Sequence, residues 1–139
     1  MSKTIGVIGS RQRDSEEDFQ LVEKAFLKVY EEGDTICSGL CPQGGDRFAV
    51  ILANKMKLGH NKRLWFPAKW DDITVPGAVI KYNKWSKPYN VLAGFMRNTH
   101  IARESDILIA CVSESRRGGT EDTITKWKNF HKEKDPIIV

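Results

Sequence analysis

The sequence is poor in the residues that staple or plate a small protein. Its three cysteines, Cys37, Cys41 and Cys111, form an odd set without paired spacing, so neither a disulfide framework nor a zinc site is expected. Its three histidines, His60, His100 and His131, are scattered without ligand spacing, and no metal or cofactor is expected. No stretch approaches the roughly 18 apolar residues of a membrane helix. The first ten residues, MSKTIGVIGS, are too short in apolar run and too glycine-rich for a signal peptide. No membrane association and a cytoplasmic location follow as expectations. There is no Walker A pattern, and Gly6-Val7-Ile8-Gly9 is not the dinucleotide-binding G-x-G-x-x-G, so neither an ATPase nor an ordinary dehydrogenase is supported. Internal repeats, low-complexity tracts and linkers are also lacking.

What is present is a chain of 139 residues, long enough to bury a core without staples and short enough for one domain, residues 1–139. Lys and Arg number 22 against 18 Asp and Glu, a formal charge of +4. Residues 1–34 hold eight acids and five bases, so the remainder carries +7. That uneven spread argues against a uniformly basic coat and for a local anion site.

Short apolar runs alternate with helical periodicity. Ile5, Val7 and Ile8 read as a strand buried on both faces. Ser15 with Glu17 and Asp18 caps a helix whose apolar face is Phe19, Val22, Phe26 and Val29. A second strand at 35–37 leads to a helix with Phe48, Ala49, Leu52, Ala53 and Met56 on one side, and residues 63–66 form a third strand. From 68 to 90 the period fails between Pro76, Gly77 and Pro88, which marks an irregular surface excursion or lid. Leu92, Phe95, Met96 and Ile101 restore a helical period, residues 106–112 are the strongest buried strand, Ile124, Trp127 and Phe130 line a last helix, and 136–139 is a terminal strand. Five strands alternating with four helices predict an α/β fold, a roughly five-stranded parallel sheet covered on both faces.

Such a sheet takes ligands beyond the carboxyl ends of its strands. Three ends combine small residues with polar groups: Gly9-Ser10-Arg11 after the first strand, Ser38-Gly39 through Gly44-Gly45-Asp46 after the second, and Gly118-Gly119-Thr120 after the fourth. The second and third run into helix N-termini, where free amides and the helix dipole attract phosphate. Five arginines, Arg11, Arg13, Arg97, Arg116 and Arg117, fall in or near these places. Trp70, Trp85 and Tyr89, in the excursion, are candidates for stacking on a base or for packing as a lid.

Taken together, the GSR motif, SGLCPQGGDRFA, FPAKW, AGFMRN and GGT resemble the SLOG superfamily of Rossmann-like proteins. That group includes the LOG phosphoribohydrolases, DNA-processing protein A and sensors of nucleotide signals. The resemblance spans nearly the whole chain outside 69–90 and is closest to small stand-alone bacterial and phage members. It implies a single Rossmann-like three-layer α/β/α domain and a homodimer. It implies that Gly118, Gly119 and Thr120 hold a nucleotide phosphate, and that Arg97, with Asn98 beside it, acts near the sugar–base bond. LOG enzymes have a glutamate three residues after the threonine, where this chain has Thr123, leaving Glu121 or Asp122 to take the catalytic part. Three functions therefore stand as expectations. The first is binding of a nucleotide or nucleotide-derived ligand, with Asp46 toward ribose hydroxyls or capping its helix. The second is N-glycosidic hydrolysis of a nucleoside 5′-monophosphate by Arg97 with Asp122 or Glu121. The third is binding of single-stranded nucleic acid in the manner of DNA-processing protein A.

Overall fold

A computed structural model describes residues 2–139. The elements are β1 (Thr4–Gly9), α1 (Glu16–Val29), β2 (Thr35–Ser38), α2 (Gly45–Lys55), a short 3-10 turn, β3 (Arg63–Trp65), β4 (Ile80–Tyr82), β5 (Pro88–Asn90), α3 (Ala93–Glu104), β6 (Ile107–Cys111), α4 (Gly119–Phe130) and β7 (Ile137–Ile138). Five strands form one parallel sheet in the order β3-β2-β1-β6-β7, which is the predicted α/β architecture.

The chain runs outward from β1 through β2 to β3, then crosses back to β6 on the other side of β1. Strand order therefore reverses between β1 and β6, and the loops that leave these two strands diverge there to open a crevice. Register across this pair sets Gly9 beside Cys111, so both loops start at the same height.

Helices α1 and α2 cover one face of the sheet, where Phe19, Val22, Phe26, Phe48 and Leu52 pack on Ile5, Val7 and Ile109. Helices α3 and α4 cover the other, where Ile101, Ile124 and Trp127 pack on Ile8, Leu108 and Ala110. A side chain on a central strand meets one core or the other by parity, which explains the near-continuous apolar runs. The cap at α1 forms as expected: Ser15 accepts from the Asp18 amide, and Asp18 accepts from the Ser15 amide. Phe95 and Phe130, read as apolar-face residues, are instead 47% and 48% exposed, because they lie at the margins of the α3–α4 pair beside Lys126 and Arg103.

The excursion is more ordered than its aperiodic sequence implied. It contains the antiparallel hairpin β4–β5, whose cross-strand bonding needs no apolar alternation. Asn90, 1% exposed, ties the hairpin down: its amide donates to Trp70 O at 2.7 Å, and its Oδ1 accepts from the amides of Val79 and Leu92. Among the described residues no helix is long and apolar enough to cross a membrane.

Candidate functional site

The crevice at the point of strand reversal is a cavity of about 420 Å³, within the range of small-molecule sites. Of the sequence-predicted residues it brings together Gly9, Ser10, Arg11, Asp46, Arg97, Asn98, Gly118, Gly119 and Thr120. Ser38, Gly39, Gly44, Gly45, Glu121 and Asp122 stand outside its wall.

The two Gly-Gly helix starts show why they part company. Both begin with a glycine in the left-handed region, Gly44 at φ 75° and Gly118 at φ 95°, so the same local chemistry builds both turns. At α2 the place of an anion is already filled. Asp14 Oδ1 accepts from the Gly44 amide at 2.7 Å and from Arg47 Nε at 2.8 Å. Those bonds, the Gly44 amide first and Arg47 second, hold the Asp14 carboxyl below its ordinary range. Gly45 is pressed against β1, where a Cβ would fall 2.1 Å from Ile8 C. Gly44 and Gly45 thus serve packing.

At α4, among the described residues, no carboxylate bonds the first amides as Asp14 bonds Gly44, and a Cβ on Gly118 would meet no atom within 4 Å. Gly119, Thr120 and Arg117 border the cavity at this point. The carbonyl of Gly119 accepts from Asn98 Nδ2 at 3.2 Å and from Thr123 Oγ1 at 3.0 Å. Asn98 therefore positions the loop, and Thr123, in the place where a catalytic glutamate was expected, does the same.

The arginines divide similarly. Arg13 pairs with Asp18 and donates to the carbonyls of Val112 and Val139, locking the C-terminal strand. Arg116 forks onto Glu121 at 2.7 and 3.0 Å. Among the described residues Arg11, Arg97 and Arg117 make no ion pair with a carboxylate, and all three border the cavity. Arg97 Nη1 donates to Gly39 O at 2.7 Å, while its buried Nε has no partner among the described residues. Neither expected catalytic acid faces the cavity. Glu121 is engaged by Arg116, and Asp122 Oδ2 accepts from Asn98 at 3.1 Å and Lys126 at 2.8 Å.

The acid at the cavity is Asp46, 7% exposed. Its Oδ2 accepts from the Cys41 amide at 3.0 Å, and its Oδ1 lies 2.8 Å from Ser38 Oγ. Ser38 Oγ also lies 2.6 Å from Val7 O. A hydroxyl has one proton and a carbonyl has none, so a protonated Asp46 donating to Ser38 Oγ would satisfy both Ser38 contacts without sharing that proton. Burial agrees with this: desolvation raises the Asp46 pKa and outweighs its hydrogen bonds and the nearby Arg97 charge. Arg97 Nη1 and Asp46 Oδ2 both crowd Gly39, 2.3 and 3.0 Å from where its Cβ would be, so a side chain there would displace the pair.

Trp70, Phe95, Arg117 and Thr123 also line the wall, and of these Phe95 and Thr123 were not expected there from sequence. Trp70 carried a signal as an aromatic of the excursion, and Arg117 as a basic residue beside the Gly-Gly pair. A second cleft of about 470 Å³ lies under the excursion, lined by Trp65, Phe66, Met96 and His100, and shares Arg97 with the first. Among the described residues no three His, Cys, Asp or Glu side chains converge on a point that a metal ion would occupy.

Comparison with protein-family models, with curated proteins and with solved structures finds no match to this chain.

Proposed function

We propose that the crevice between β1 and β6 binds a nucleotide or nucleotide-derived ligand, with its phosphate at the N-terminus of α4. The observation that carries this reading is the contrast between two alike helix starts: α2 already holds the Asp14 carboxylate, while among the described residues no carboxylate bonds the first amides of α4, which lie beside a cavity bordered by three arginines that make no ion pair there. Amides at a helix start, the Thr120 hydroxyl and the charges of Arg11 and Arg117 supply the donors a phosphate needs. The resemblance to the SLOG superfamily points to the same loop and the same ligand class. In this reading Asp46 and Arg97 face the sugar, and Trp70 and Phe95 offer apolar surface to the base.

A second reading, N-glycosidic hydrolysis, is favoured by one observation: a buried acid, Asp46, whose pKa is raised by desolvation, stands at the cavity wall close to Arg97. It is suited to protonating a leaving base. The acid assignment then moves from Glu121 and Asp122 to Asp46.

Titration calorimetry with AMP, ADP-ribose, cyclic AMP and inorganic phosphate tests the binding reading. Expected is binding of at least one nucleotide, weakened about tenfold or more by Arg11→Gln combined with Arg117→Gln, with no free base appearing by chromatography. Absence of binding to every phosphate compound refutes it. Release of base that is lost in Asp46→Asn and kept in Asp122→Asn and Glu121→Gln selects the hydrolase.

A further inference from the structure

Between residues 73 and 103 the chain has no acidic residue, yet it carries Lys81, Lys84, Lys87, Arg97 and Arg103. The three lysines stand on the β4–β5 hairpin and its tip. Strands of three residues make no core of their own, so polar bonds hold the tip in shape. Asn83 donates its amide to Lys87 O at 3.0 Å and accepts at its carbonyl from the Ser86 amide. Its Oδ1 accepts from the amides of Trp85 and Lys87 at 2.9 and 3.0 Å. Ser86 adopts φ 59°, a left-handed conformation rare outside glycine.

This ordered tip presents its aromatics to water. Trp85 is 70% exposed and Tyr82 69%, and Lys84 Nζ stands 4.4 Å from the Trp85 ring centroid, covering one of its two faces. Lone exposed apolar residues are ordinary. Here two aromatics share a preformed turn with three cations and no acid.

We infer that the β4–β5 hairpin is a docking surface for single-stranded nucleic acid, with Trp85 and Tyr82 stacking on bases and Lys81, Lys84 and Lys87 contacting phosphates. Aromatic faces interleaved with cations are the donor set of such sites, and stacking requires bases whose faces are not already covered in a duplex. The acid-free stretch favours a polyanion over a basic protein partner. A membrane fits less well, because the residues around Trp85 at the tip, Asn83, Lys84, Ser86 and Lys87, are polar. The inference stands on the hairpin alone and does not depend on what occupies the crevice.

Fluorescence anisotropy of a labelled 12-nucleotide oligothymidylate with the full chain, from 25 to 200 mM NaCl, tests it. Three phosphate contacts predict a slope of log affinity against log salt of about −2. Trp85→Ala should weaken binding roughly 5- to 100-fold, and Trp85→Phe should retain most of it. Replacing Lys81, Lys84 and Lys87 together by Gln should flatten the slope toward zero. Trp85 is largely exposed, so the unfolding midpoint of Trp85→Ala should equal that of the parent, and this control excludes misfolding. Equal oligonucleotide affinity in parent and Trp85→Ala overturns the inference. So does hairpin-dependent binding to phosphatidylserine vesicles without binding to the oligonucleotide, or hairpin-dependent self-association in sedimentation without it.

Discussion

Exchanging one glycine for alanine at each Gly-Gly helix start separates packing from ligand recognition. At Gly45 a Cβ would fall 2.1 Å from Ile8 C, 2.2 Å from Gly9 N and 2.3 Å from Ile8 O, all backbone atoms of the central strand. Ordinary contact begins near 3.4 Å. Helix and strand would have to separate by about 1 Å, and a close-packed interior has no rotamer change that absorbs it. Gly45→Ala should therefore destabilise by more than about 4 kcal/mol, among the largest effects of a single substitution. At Gly119 the same methyl would meet only Asn98 Nδ2, at 3.7 Å, and no left-handed backbone opposes it. Alanine is the better helix former by roughly 0.5–1 kcal/mol, so Gly119→Ala should leave stability unchanged or raise the midpoint by about 2–4 °C. The methyl would, however, stand at the cavity wall where the proposed phosphate approaches the amides. Urea unfolding paired with nucleotide titration reads both quantities. Expected are loss of fold at Gly45→Ala, and at Gly119→Ala a sound fold with nucleotide affinity reduced at least about tenfold. A stable Gly45→Ala refutes the packing account, and undiminished nucleotide affinity in Gly119→Ala refutes the cradle.

The protonation of Asp46 and the acid limit of the fold give two further tests. Asp46→Asn keeps the acceptor for the Cys41 amide and supplies an N–H to Ser38 Oγ, so it mimics the protonated acid and should match the parent at low pH. A raised folded pKa means that the parent loses stability as pH rises from the unfolded value near 3.9 through the folded one, so in urea unfolding Asp46→Asn should become relatively more stable toward neutrality. If Asp46→Asn is less stable than the parent at pH 7, the neutral acid is contradicted. Asp34 shows the opposite sign. Its burial alone would raise the pKa, but Lys3 Nζ at 2.6 Å and the amides of Glu31 and Lys3 outweigh it and hold the carboxyl below its usual range. Its contribution is complete above about pH 4 and disappears as pH falls through the folded value. Asp34→Asn should lower the unfolding midpoint at pH 7 and converge on the parent near pH 2; a deficit that stays constant with pH would refute the ionic origin.

Much of the fold was legible because its signals are local. The buried runs 5–8 and 107–111, the capping box at Ser15 and the two Gly-Gly turns depend on residues within a few positions of one another. The hairpin escaped because β4 and β5 are largely exposed or half-buried and show no alternation for a core to impose. The site was legible as three strand ends but not as a set of roles. Asp122 and Glu121 occupy the position in sequence that suggests an acid near the phosphate loop. Lys126 and Arg116, four and five residues away, claim them instead. Asp46 read equally as an acid for ribose hydroxyls or as a helix cap, and only its burial in the folded chain raises its pKa.

By itself the sequence determined the succession of the five sheet strands and four helices, the parallel sheet and the edge at which small and basic residues collect, since periodicity and turn chemistry act over a few residues. Only the tertiary structure decided which of two equivalent helix starts remains free. Asp14 comes from a loop 30 residues away to satisfy α2, and among the described residues no such carboxylate reaches α4. It likewise left Arg11, Arg97 and Arg117 without an ion pair among the described residues, whereas Arg13 and Arg116 are neutralised by acids five residues along the chain. The availability of an amide or a charge is set by what the folded chain brings within about 3 Å of it, a distance that local sequence does not encode.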